Sequence, residues 1–137
     1  METKIVTLVQ ESFEKVKPIA PQAAEIFYSK LFELDPQLKP LFPSDKEAMK
    51  SQGNKLMTML GAAVAGLSNI EALIPVLEGL GKRHVDYKVE PSHYDTVGAA
   101  LLGTLEAGLG NEFTVDVKNA WTDVYGTMAD VMIKASY

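Results

Sequence analysis

The sequence predicts an all-α protein, and three observations support that class. Apolar residues recur every three or four positions along most of the chain, whereas the alternating apolar and polar pattern of strands is nearly absent. Several prolines lie where helices would begin. Proline is tolerated there because the backbone N–H that it lacks would make no intrahelical hydrogen bond. The chain has 137 residues, of which 47% are hydrophobic and 23% charged, which is typical of one globular domain. We therefore expect a single domain over residues 1–137.

The first two helices and the corner after them follow from apolar spacing and proline placement. The first is predicted over residues 3–17, with Thr3 as its cap. The second begins at Pro21 and ends at Leu34. The next segment, DPQLKPLFPSDKE, contains three prolines and therefore predicts a tight corner rather than a long helix.

Four further helices are expected. Ser44 and Glu47 have the spacing of a capping box, which predicts the start of a third helix that ends near Leu67. The others begin at a proline or a capping threonine: from Pro75 to about Tyr87, from Pro91 to about Gly108, and from Thr114 onward with Trp121 inside.

Charge and composition exclude several classes of protein. The net charge is −5 and the basic residues are scattered, so a nucleic-acid partner, which needs clustered Lys and Arg, is not expected. The absence of cysteine excludes disulfides and thiolate metal sites and is typical of a reducing compartment. Neither a signal peptide nor an uninterrupted apolar run of membrane-spanning length is recognised. A cytoplasmic protein without a membrane span is the expectation.

Both histidines of the chain lie in one segment, LEGLGKRHVDYKVEPSHY. His84 extends an apolar stripe whose members are three or four residues apart: Leu73, Val76, Leu77 and Leu80. On periodicity alone, such a histidine is more often a buried, hydrogen-bonded core residue than a metal ligand, and both interpretations stay open. His93 follows Pro91 in the first turn of a helix, where we expect it to be neutral and exposed or to assist the helix start.

Two more polar residues fall on apolar helix faces. Gln52 precedes Leu56 by four residues, and Tyr28 shares a face with Ala24 and Leu31. Separately, each is typical of a residue at the core boundary. Together with His84, they favour a cavity with apolar walls and a few polar groups, which is how small-molecule and cofactor sites are built.

The sequence resembles the globin family over essentially its whole length. It closely resembles the bacterial single-domain haemoglobins and the globin domain of flavohaemoglobins. Four stretches carry the resemblance in the same order and spacing: FYSKLFELDPQLKPLF, KSQGNKLM, LGKRHVDYKVEPSHYDTVGAALL and AWTDVYG. The resemblance implies a three-over-three helical sandwich around haem b, which is iron protoporphyrin IX.

The resemblance also implies residue roles. His84 would be the axial ligand of the haem iron, as in other globins, and Phe42 would stack on the porphyrin. Tyr28 and Gln52 would act on the bound ligand, and Tyr94 would orient His84. The remaining expected haem contacts are apolar, apart from one lysine that would reach a propionate: Lys55, Leu56, Leu80, Val89 and Val97.

The implied function is tight binding of O2, and also of CO and NO, at a five-coordinate haem iron, for oxygen transport or storage. An alternative is nitric oxide dioxygenase activity, which detoxifies nitric oxide to nitrate. Because no flavin-binding or nicotinamide-binding segment follows Tyr137, that activity would require an external reductase. A haemless helical sensor or interaction domain is the third hypothesis. A monomer or a weak homodimer is expected.

Overall fold

A computed structural model describes residues 2–86 and 90–136 and confirms the all-α class. Within these ranges there is no strand. The six α-helices are α1 Thr3–Val16, α2 Ala20–Leu34, α3 Lys46–Gly66, α4 Ile70–Asp86, α5 Pro91–Leu109 and α6 Val115–Ser136. Short 3-10 turns join them at Lys17–Ile19, Pro36–Leu41, Leu67–Asn69 and Gly110–Glu112.

Most of the predicted helix starts are confirmed. Pro21 lies in the first turn of α2 and Pro91 is the first residue of α5. Thr114 caps α6, since its hydroxyl accepts a hydrogen bond of 3.2 Å from the amide of Val117. The capping role of Thr3 is wrong, because Glu2 is the N-cap of α1 and makes no side-chain cap.

Two other starts differ from the prediction. Asp45, rather than Ser44, caps α3, because its carboxylate accepts a hydrogen bond of 3.0 Å from the amide of Ala48. Helix α4 begins at Ile70, five residues before Pro75, so Pro75 lies inside the helix. A helical turn forms before the proline because Leu73 is buried in the core, and its burial offsets the missing backbone hydrogen bond.

The core lies where α1 and α6 meet. Trp121 is fully buried and tilts against the ring of Phe13, at 6.2 Å between ring centroids. Its indole nitrogen donates to the Ser12 hydroxyl at 2.8 Å, and Ser12 is within hydrogen-bond distance of the carbonyls of Leu8 and Val9. This chain of hydrogen bonds satisfies the buried indole N–H of Trp121 and the hydroxyl of Ser12.

The remaining helices surround this pair. Helix α4 packs on α6, α5 packs on α2, and α3 crosses both α2 and α1. The chain turns back at Leu67–Asn69, so that Gly66 at the end of α3 lies against Leu73 of α4. Helices α3 and α4 therefore form a helical hairpin on one side of the molecule.

Helix α3 is apolar but poorly covered. Of its 21 residues, only Gly53 and Val64 are buried. By length and composition alone, the helical stretch Lys46–Val85 would pass for a membrane span, with a mean hydropathy of 1.6 in its most apolar window. One such stretch is weak evidence, because core helices of globular proteins pass the same test. Only 22% of the window is buried, so these apolar side chains are left without a full protein covering.

We expect Ser12→Ala to lower the free energy of unfolding by about 1–3 kcal/mol, because the buried indole N–H of Trp121 would lose its acceptor. Urea denaturation of the variant measures this loss. Ser29→Ala, on the exposed face of α2, is the control and should change the stability by less than about 0.5 kcal/mol. Equal stabilities of the two variants would contradict the assigned role of Ser12.

Candidate functional site

His84 lies in the last turn of α4 and is half-buried. Its Nδ1 atom is 3.2 Å from the hydroxyl oxygen of Tyr94, which is in the first turn of α5. The two rings meet edge-on, with 6.0 Å between their centroids. The structure thus brings together two of the residues predicted for one side of the site.

Tyr94 is itself held from behind. It is buried, and its backbone carbonyl accepts a hydrogen bond of 2.6 Å from the hydroxyl of Tyr125 in α6. Burial raises the pKa of Tyr125, and the neighbouring Tyr94 and Asp95 raise it further. Tyr125 therefore stays protonated and remains a donor to the start of α5. Sequence reasoning missed Tyr125, because its position beside Tyr94 depends on how α5 and α6 pack.

The electrostatic surroundings of His84 favour its neutral form. Burial lowers the pKa of its imidazole below the usual value, and the positive charge of Arg83 acts in the same direction. In the neutral tautomer that carries its proton on Nδ1, the ring donates to the Tyr94 oxygen. A metal-ligating histidine typically makes such a hydrogen bond through the ring nitrogen that does not coordinate the metal.

A second polar pair joins α2 and α3. Tyr28 is buried, and a side-chain hydrogen bond links it to Gln52. Burial raises the pKa of Tyr28 to about 12, and the hydrogen bond from the Gln52 amide partly opposes the rise. The Tyr28 hydroxyl is therefore protonated at neutral pH. Since Gln52 donates to its oxygen, the hydroxyl proton can itself be donated to a ligand.

Aromatic rings fix Tyr28 in place. Phe27 lies edge-on at 5.3 Å, Phe32 is stacked at 6.1 Å, and Phe42 lies edge-on at 5.4 Å between ring centroids. Phe32 also contacts Phe42, at 5.4 Å. Phe42 was expected here from the sequence, whereas Phe32 was not, although Phe32 follows Tyr28 by four residues and so shares its helix face.

A close crossing of α2 and α3 sets the distance between Tyr28 and Gln52. Gly53 is buried at this crossing. A Cβ atom there would lie 3.0 Å from the Cβ of Ala24 and 3.8 Å from the ring of Tyr28. The missing side chain lets the two helices approach closely enough for Gln52, the preceding residue, to reach the tyrosine hydroxyl.

An apolar cavity of about 260 Å³ separates α3 from α4. Its wall is almost entirely hydrophobic, and the lining residues are Met59, Ala62, Ala63, Gly66, Asn69, Ala72, Leu73, Val76, Leu77 and Leu80. Leu80, a predicted haem contact, is half-buried and precedes His84 by four residues on the same face of α4. Leu56, one turn before Met59, is also half-buried.

The other predicted site residues have varied surroundings. Val97 packs on the core and is half-buried, whereas Lys55 is exposed. Val89 lies outside the described residues. His93 assists the helix start as predicted, because its Nδ1 accepts a hydrogen bond of 3.0 Å from the amide of Glu90. The Glu90 side chain in turn accepts from the His93 amide, which completes a reciprocal cap of α5.

The residues present suit an iron porphyrin better than a metal ion bound by protein alone. Within residues 2–86 and 90–136 there is no group of three or more His, Asp, Glu or Cys side chains able to hold a metal. A single neutral imidazole is, however, sufficient as the protein ligand of haem iron. The half-buried apolar side chains of α3 and α4 would meet the faces and edges of the ring, and the exposed Lys55 could pair with a propionate. The residues of the candidate site therefore fit a haem group.

Comparisons with known proteins agree with this assessment. The family model described as Globin matches residues 25–132. Flavohemoproteins of Bacillus subtilis and Halalkalibacterium halodurans are each 31% identical, over 127 and 135 residues, or 90% and 93% of this chain. A flavohemoprotein of Rhizobium meliloti is 30% identical over 132 residues. The chain spans about a third of the length of these relatives. The matched region contains both polar pairs, Tyr28 with Gln52 and His84 with Tyr94.

Proposed function

The chain belongs to the globin family, and from that premise we propose that it binds haem b through His84 and holds O2 tightly at the opposite face of the ring. The observation that carries this proposal is the uncovered apolar gap between α3 and α4, whose wall includes Leu80, one helical turn before a neutral histidine whose Nδ1 already has a partner. A flat apolar ring inserted there would bury side chains that the protein itself leaves half-exposed. When bound, haem supplies an iron atom that binds O2, CO or NO.

On the α4 side, the chain orients the iron ligand. In the tautomer protonated at Nδ1, His84 would donate to the hydroxyl oxygen of Tyr94, and this contact would fix the rotation of the imidazole ring. Tyr125 holds the backbone of Tyr94. An imidazole that is already oriented loses little freedom when it coordinates, so this arrangement favours tight haem binding.

On the α2 and α3 side, the chain supplies hydrogen-bond donors in an apolar surrounding. A bound haem would supply iron chemistry in which negative charge develops on dioxygen, and donors aimed at that charge would stabilise it most where water is excluded. The Tyr28 hydroxyl and the Gln52 amide are such donors. Leu56 would form the apolar wall beside them. Gln52 is a poor iron ligand, so we propose an open sixth coordination position.

A second candidate is nitric oxide dioxygenase activity, in which O2 and NO combine to give nitrate. It is favoured by the similarity to flavohemoproteins, whose name denotes flavin and haem in one protein. The paired donors Tyr28 and Gln52 would serve here too, because the reaction needs long-lived bound O2. A reductase protein would have to supply electrons. A soluble cytoplasmic protein, monomeric or weakly dimeric, would suit either candidate.

His84→Ala should weaken haem binding by at least about a hundredfold, roughly 3 kcal/mol, because the iron loses its protein ligand. Titration of apoprotein with haemin, followed by visible absorption, measures this change. His93→Ala is the matched control and should bind haem like the wild-type chain, since His93 caps α5. Added imidazole should partly restore the spectrum of His84→Ala. Equal affinities of the two variants would remove His84 from the ligand role.

Tyr28→Phe should speed O2 dissociation by about 10- to 150-fold, which corresponds to the loss of one charge-assisted hydrogen bond of about 1.5–3 kcal/mol. Stopped-flow displacement of O2 by CO measures the rate. Carbon monoxide gains less negative charge, so its dissociation rate is the internal control and should change far less. An O2 rate identical to that of the wild-type chain would exclude Tyr28 from ligand stabilisation.

The two candidate functions predict different nitrate yields. With NADH, a flavin reductase, O2 and repeated additions of NO, an enzyme should form many nitrate ions per haem without loss of rate. A protein that only stores O2 should form one nitrate per haem at the first addition of NO. After that, its rate of nitrate formation should fall to the slow rate at which the reductase returns the haem iron to the ferrous state. Nitrate analysis over ten additions distinguishes the two.

A further inference from the structure

Gly81 in α4 lies directly against the backbone of α6. A Cβ atom at this position would lie 2.6 Å from the carbonyl oxygen of Met132 and 2.9 Å from its Cα atom. It would also lie 2.7 Å from the hydroxyl oxygen of Ser136. All three distances are well below the optimal carbon contact of about 3.5 Å. No side chain larger than hydrogen fits here without moving the two helices apart.

Gly81 differs in this respect from every other glycine of the chain. The other close approaches are to side chains, such as the ring of Tyr125 beside Gly98 and the Lys30 chain beside Gly103. Gly79, two residues earlier in α4, has no atom within 4 Å of the corresponding Cβ position. Most of those side chains can rotate away from an added methyl group, whereas the Cβ of Ala24 beside Gly53 and the backbone of α6 beside Gly81 cannot.

Ser136, the last residue of α6, takes part in the same contact. The Ser136 hydroxyl oxygen is buried and has no hydrogen-bond partner among the described residues. A buried hydroxyl without a partner is unfavourable.

Gly81 is one helical turn before His84 and about 60° away around the axis of α4. One face of the helix therefore rests on α6 while the adjacent face presents His84 to the site. We propose that Gly81 is a positioning residue for His84: its contact with Met132 sets how far α4, and with it the imidazole, stands from α6. The inference rests on the proposed haem ligation by His84.

The experiment compares Gly81→Ala with Gly79→Ala as ferrous haem proteins. Both variants add one methyl group to the same helix, but only the first pushes α4 away from α6. Resonance Raman spectroscopy should show the iron–imidazole stretching band of Gly81→Ala several wavenumbers lower, because a displaced helix strains the bond. O2 dissociation should change severalfold. Gly79→Ala should leave both unchanged and raise the melting temperature by about 3 °C, because alanine favours the helix.

The same substitution in a second variant, His84→Gly, distinguishes an effect on the position of His84 from a general disturbance of the haem site. In His84→Gly with free imidazole as the iron ligand, that ligand is no longer attached to α4, so Gly81→Ala should not shift the band. A shift that persists there, or a Gly81→Ala spectrum equal to that of Gly79→Ala, would overturn the inference. Failure of the wild-type chain to bind haem would instead refute the proposed function, so the two failures are distinguishable.

Should Gly81→Ala not fold, Ser136→Thr crowds the same contact from the α6 side with one added methyl group. A smaller shift of the band in the same direction is expected, and an unchanged band in this folded variant would overturn the inference.

Discussion

The main constraint on this structure is the apolar surface of α3 and α4, which the two helices do not bury against each other. Helix α3 buries only two of its residues, and a cavity of about 260 Å³ separates its apolar face from α4. Each half-exposed leucine or methionine forfeits part of the roughly 1.5–3 kcal/mol that full burial provides. Closing the gap directly would bring the side chains together but leave no site. A bound apolar group that filled this gap would recover part of that free energy.

The polar groups of the candidate site are held in place by neighbouring side chains. Tyr28 is fixed by three aromatic rings and by Gln52, and Tyr94 is fixed through its carbonyl by Tyr125. Each group that would act on a ligand is thus supported by a residue that would not touch it. Donors that are already oriented lose little entropy when they bind, which makes their hydrogen bonds more effective.

Local pattern predicted the elements and the polar residues of the site, because both depend on the periodicity of one helix. Tyr28, Gln52 and His84 were found as polar residues on apolar stripes. The start of α4 was wrong, since the burial of Leu73 outweighs the helix-breaking tendency of Pro75. The supporting contacts were missed for a different reason: the bond from Tyr125 to Tyr94 joins residues 31 positions apart. No local spacing reports such a contact.

Glycine within a helix costs about 0.5–1 kcal/mol relative to alanine, yet three of these glycines adjoin the site residues. Gly53 follows Gln52, Gly81 precedes His84 by one turn, and Gly98 follows Tyr94 by one turn. At each, a Cβ atom would lie within 3.0 Å of another helix: Ala24 in α2 for the first, and Met132 and Tyr125 in α6 for the others. These glycines lower the stability of their helices, but they allow the helices to cross closely enough to align the residues of the candidate site. The short distance between the helices requires glycine at these positions. A substitution by alanine, which would favour the helix itself, would therefore displace the neighbouring site residues.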